Sequence, residues 1–199
     1  MSAPRQRTSW AAVARWLHTY LSLVGFGALL FFSVTGITLN HAGFFELEAD
    51  HAEAHGSLPK ELLPAAGATA DATAIEARLR AEHGLSGALA DFHADAEELS
   101  LVWKGPAYAA DVVIQRADGE YELCVTRQRG TALIDDLHKG RDSGAAWSLV
   151  IDVSAVVMIV AALTGLWLLF YVQKRKNPGL LVALVGCVVL VIAWALFVP

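Results

Sequence analysis

The chain has 199 residues, a formal net charge of −5 and 55% apolar residues. That is too apolar for an ordinary soluble protein of this size, and the apolar residues fall in blocks rather than at a regular period. The net negative charge gives nucleic-acid binding no support. Two cysteines, Cys124 and Cys187, exclude a disulfide-stapled scaffold and read as small apolar side chains.

Three blocks, 13–40, 147–172 and 180–198, each supply the ~20 apolar residues that cross a hydrocarbon core. The first reads as a retained span, because its apolar core is too long for a cleaved signal and no small-x-small site follows it. Arg5, Arg7 and Arg15 precede or open the first span, and Lys174, Arg175 and Lys176 lie between the second and third. The middle of the chain is acidic on balance. The positive-inside rule then puts residues 1–12 and the turn 173–179 in the cytoplasm. It puts the middle of the chain and the C-terminus on the outer side of the membrane.

Taken in order, the first span begins near Trp10 and Trp16, placed as an interfacial aromatic belt. Ser22, Gly25, Gly27, Ser33 and Gly36 make it a helix that another helix or a flat macrocycle can approach closely. His18 and His41 bracket it. They are 23 residues apart, roughly 34 Å of helix at ~1.5 Å per residue, and so near opposite faces of the membrane.

Residues 41–66 form a juxtamembrane segment in which Phe44 and Phe45 face the interface. Here Asp50-His51-Ala52-Glu53-Ala54-His55 places two imidazoles at i and i+4, one face of an expected helix. Zinc or copper uses such spacing, and a solvated acidic helix has it too. Residues 67–130 read as a small α+β domain. A helix over 71–83 starts on Asp71 and stops at Gly84. Strands are expected over 88–93, 99–104, 109–116 and 120–127, the last two joined by Ala117-Asp118-Gly119 as a hairpin. One helix on an antiparallel sheet is the simplest architecture.

Residues 131–146 return the chain to the membrane and carry Asp135, Asp136, His138 and Arg141. Asp152 lies about one turn inside the second span, where an ionisable group is costly and points to function or to a buried partner. Ala161 and Gly165 are a small-xxx-small pair for helix packing. The third span has no His, Asp or Glu and reads as a packing helix.

Arg15-Trp16-Leu17-His18, Ser22-Leu23 and Thr35-Gly36-Ile37 resemble the opening span of PepSY-associated transmembrane proteins. Leu137-His138, ahead of a span ending Leu163-Thr164-Gly165-Leu166-Trp167, resembles that family's second signature. The domain between them stands where the family carries its PepSY domain. The resemblance implies an α-helical, three-span inner-membrane protein with an inserted small α+β PepSY-like domain. Some relatives resemble haem-b reductases that act on iron carriers or pass electrons outward; larger members have further histidine-bearing helices that this chain lacks.

On that basis His41 and His138, both on the outer side, are expected to meet across one haem b. Asp135, Asp136 or Asn40 would orient a ring nitrogen. His18 is the cytoplasmic-side candidate ligand, with Arg15 one turn away for a haem propionate. A second subunit would supply a second His18, which makes a homodimer attractive; a plain interfacial histidine is the other reading. The expected function is electron transfer from a quinol or cytoplasmic-side donor to a periplasmic acceptor such as a ferric carrier. The alternative is a non-enzymatic, membrane-tethered PepSY-like binding or regulatory module for an envelope partner. A third reading is a metal-binding protein built on His51 and His55. No nucleophile–base pair, phosphate loop or metalloprotease helix supports hydrolase chemistry.

Overall fold

A computed structural model describes residues 9–63 and 71–199. The basic N-terminus with Arg5 and Arg7, and the start of the α+β domain at Gly67, lie outside the described residues. In chain order the elements are α1 (Trp10–Asn40), α2 (Ala42–Phe45), β1 (Glu46–Ser57), α3 (Ala72–His83), β2 (Ala88–Ala94) and β3 (Glu98–Gly105). Then come β4 (Tyr108–Gln115), β5 (Glu120–Gly130), α4 (Ala132–Lys139), α5 (Gly144–Leu169) and α6 (Lys176–Phe197). The chain divides into two compact units: Phe31–Ile151, and the described residues up to Leu30 together with Asp152–Pro199. The boundaries cut α1 and α5.

In the first unit, five antiparallel strands form one sheet in the order β1-β5-β4-β3-β2. Alternation decides its faces. Leu99, Leu101 and Trp103 of β3, Val112 and Ile114 of β4, and Leu123 of β5 point to one side and are buried there. Ile75 and Leu79 of α3, one turn apart, close that core. The Asp71 carboxylate caps α3 by accepting from the N–H groups of Thr73 (3.0 Å) and Ala74 (3.2 Å). At the β4–β5 hairpin Gly119 has φ +83°, a left-handed conformation that glycine adopts without strain.

The segment expected to be helical around His51 and His55 is instead the edge strand β1, paired with β5 from Glu46↔Gly130 to Ser57↔Glu120. Alanines at 48–55 favour helix locally, and cross-strand pairing overrides them. Alternation puts His51, Glu53 and His55 on one face, while Ala54 packs against the core from the other. Helix α4 is an addition to the sequence reading. Thr131 donates its hydroxyl to Asp135, four residues on (2.9 Å), and the helix ends at Gly140. The Trp147 indole donates to the Leu137 carbonyl (2.8 Å), tying the end of α4 to the start of α5.

Tyr121 is buried, and its hydroxyl lies 2.7 Å from His83 Nε2. Burial pushes the phenol above tyrosine's ordinary 10.0, and the Glu82 carboxylate adds to the shift. Above that ordinary value the unfolded chain loses this proton before the folded one does. The contribution to stability is therefore complete below pH 10 and is lost as pH rises through the folded value. The melting temperature of the full-length protein is expected to fall above pH 10, and Tyr121→Phe to flatten that fall.

In the second unit the N-terminal part of α1 and the greater part of α5 face each other through small residues. A methyl at Gly25 would lie 3.1 Å from Val157 Cγ1, so the two backbones approach closely. α1, α5 and α6 are long and apolar enough to cross a membrane, with mean hydropathies of 1.9, 2.4 and 3.0. No residue of α6 is buried. Asp152 is exposed on α5, and Cys124 and Cys187 are free.

Candidate functional site

The buried polar residues among those described are Thr35, Asp135 and Thr164. Two of the three hold a histidine. On α1, the Thr35 hydroxyl donates to the Phe31 carbonyl one turn back (2.7 Å), and its oxygen lies 2.6 Å from His138 Nδ1. The His138 ring meets Phe32 edge to face at 5.2 Å between centroids, and its Cε1 lies 3.7 Å from where a methyl on Gly36 would stand. His138 is thus half-buried on α4, with Nδ1 engaged and no hydrogen bond at Nε2 among the described residues.

His18 has the same surroundings within the other unit. Its Nδ1 lies 2.9 Å from the Ala161 carbonyl and 3.3 Å from Thr164 Oγ1. The Thr164 hydroxyl donates back to the Val160 carbonyl (2.7 Å). The ring presses on Gly165, where a methyl would stand 2.9 Å from Cε1. Beside it runs an apolar groove of 290 Å³ whose lining includes Ser22, Gly25, Met158 and Ala162. The small pair Ala161 and Gly165 therefore receives a histidine ring as well as a helix.

These clearances differ, and so do the expected substitutions. Gly165→Ala forces the His18 ring off its partners and is expected to cost about 1–3 kcal/mol. Gly36→Ala places its methyl at ordinary contact distance and is expected to stay within about 0.5 kcal/mol. Thermal unfolding of the two variants in detergent compares them directly.

The structure does not bring His41 to His138. His41 is exposed, its Nδ1 lies 3.1 Å from the Ile37 carbonyl in the last turn of α1, and its ring leans toward Phe44. The groups that meet His138 are Phe32, Thr35 and Gly36. Nor do the aspartates orient His138. Asp135 accepts from the Thr38 (2.8 Å) and Thr131 (2.9 Å) hydroxyls, and Asp136 accepts from the Ala107 N–H (2.9 Å). The orienting group is Thr35. A Thr-Gly pair inside each of the first two apolar blocks was the available signal, read in the sequence only as a family signature. Arg15 is exposed, three residues before His18.

On the open face of the sheet, Glu53, His55 and Glu122 bring one ligand atom each within 4.8 Å of one another, all exposed. His55 and Glu122 are direct cross-strand partners. His51, four residues before His55 on the same extended strand, pairs instead with Thr126 (3.2 Å).

Three apolar helices of spanning length, with an antiparallel sheet between the first and second in chain order, define a multi-pass membrane protein that carries an α+β domain. A family profile described as Putative PepSY_TM-like matches residues 12–199. The chain belongs to that family of PepSY-associated transmembrane proteins. No curated protein and no solved structure matches it.

Proposed function

We propose that this protein is a haem-b electron carrier of the bacterial inner membrane, with His18 and His138 as the iron ligands contributed by the chain. The observation that carries the reading is the repeated state of the two rings. Each is half-buried, each has Nδ1 bound to a polar group of a membrane helix, and each leaves Nε2 without a hydrogen bond among the described residues. A histidine that binds iron engages its other ring nitrogen in this way. The donor set fits haem as one imidazole per site, and the small residues beside His18 suit a flat ligand.

Haem b, when bound, supplies one-electron redox chemistry. The chain's own part is to hold each imidazole at a fixed angle in an apolar setting and keep bulk water away. Arg15 is the cation available on α1 near His18 for a propionate. Electrons would enter from a quinol or a cytoplasmic-side donor and leave to a periplasmic acceptor, a ferric carrier being one chemistry that fits. The basic flanks at Arg15 and Lys174–Lys176 support a cytoplasmic N-terminus.

A dithionite-reduced minus oxidised difference spectrum of detergent-purified protein tests this. Reduced b-type bands are the expected result. A six-coordinate spectrum would bring in an imidazole from a second copy of the chain. Colourless protein from haem-replete cells would contradict the proposal and leave a tethered binding module as the reading.

A further inference from the structure

Each half of the chain gives one histidine and one Thr-Gly pair, and the pairs are exchanged. His18 rests on Thr164 and Gly165, and His138 rests on Thr35 and Gly36. The likeness is chemical, because in both places the threonine hydroxyl spends its one proton on a carbonyl four residues earlier on its own helix. From this arrangement we infer that Thr35 is a positioning residue: it fixes His138 as the Nδ1–H tautomer and so keeps the Nε2 lone pair free for a metal.

A hydroxyl has one proton and two lone pairs. The Phe31 carbonyl accepts only, so the Thr35 proton goes there. At 2.6 Å from Nδ1 the hydroxyl oxygen is left to accept, and the imidazole must donate. A neutral ring that carries its proton on Nδ1 has its lone pair on Nε2. In water the neutral imidazole favours the other tautomer, so the protein has reversed the intrinsic preference. Thr35 is 3% exposed, so its hydroxyl is shielded from solvent.

His18 reaches the same state by a different dependence. Its Nδ1 lies 2.9 Å from the Ala161 carbonyl, an acceptor that no side-chain change removes. Thr164 is the longer second partner at 3.3 Å. Thr35 is therefore decisive at its histidine, whereas Thr164 is redundant at its own. Toward haem this rests on the proposed function; as a statement about the rings it does not.

The test is nitrogen-15 NMR of full-length, histidine-labelled, haem-free protein in detergent, at a pH where the rings are neutral. The wild type is expected to show protonated Nδ1 and bare Nε2 at both His18 and His138. Thr35→Val should move His138 toward the Nε2–H tautomer, Thr35→Ser should restore it, and His18 should stay unchanged as an internal control for folding. Thr164→Val should leave His18 as it was. Given haem, Thr35→Val should weaken uptake at one site by about 10–100-fold. A wild-type His138 protonated on Nε2, or one indifferent to Thr35→Val, overturns the inference. A locked tautomer in protein that never binds haem would instead overturn the electron-transfer reading and leave this one standing.

Discussion

Replacing His138 or His18 by alanine is expected to remove one of two haem equivalents per chain, and replacing both to leave the protein colourless. Each site offers a single imidazole whose Nε2 has no hydrogen bond among the described residues, so its removal is expected to empty that site. The backbone environment of each ring is independent of the ring itself. Thr164 back-bonds to Val160, and Thr35 to Phe31, whether or not a histidine faces them. The variants should therefore stay folded, and the loss should be of pigment rather than of protein. His41→Ala is the control. That side chain is exposed and bonded back to the last turn of α1, so haem content should stay at the wild-type level. Pyridine haemochrome quantitation against protein concentration reads all four variants. Loss of haem in His41→Ala with retention in His138→Ala would reverse the assignment.

The largest expected effect on stability lies in the sheet. Trp103 is fully buried on β3, among Ile75, Leu79, Leu101, Val112 and Leu123 in the core. Trp103→Ala removes the largest side chain of that core and is expected to cost about 3–5 kcal/mol. A sheet domain of this size has little in reserve, because small domains bury a smaller share of their surface. The variant should unfold the domain at ordinary temperatures. Trp103→Phe is expected to be far milder. The Trp103 indole N–H is buried without an acceptor among the described residues, and leaving such a donor unpaired costs about 1–3 kcal/mol. Phenylalanine deletes that donor along with the lost volume, and the two changes offset. Amide hydrogen exchange across β3 and β4 distinguishes the variants. Equal protection in wild type and Trp103→Ala would contradict this account of the core.

Much of this architecture was legible in the sequence, for reasons that differ by element. The spans are fixed by blocks of apolar residues, and α1, α5 and α6 fall within a few residues of the expected bounds. α3 and the β4–β5 hairpin were legible because Asp71, Gly84 and Asp118-Gly119 act locally, through caps and turns. β1 was not. Its alanines favour helix, and only the partner strand β5, about 70 residues away, decides otherwise. The site shows the same split. His18 and His138 were visible as imidazoles at the edges of apolar blocks. What they touch was not, because a threonine inside a membrane helix looks the same in sequence whether it back-bonds or orients a ring. For His41 the structure gives a different neighbourhood from that of His138: it stands exposed just past the end of α1 and bonds back to the Ile37 carbonyl, while His138 packs on Phe32, Thr35 and Gly36.

The measurement that bears most directly on the whole account is the haem-to-chain ratio of the purified wild-type protein, expressed with ample haem. Two histidines, each with Nδ1 engaged on a helix, predict a ratio near two. A ratio near zero would contradict the account at its centre.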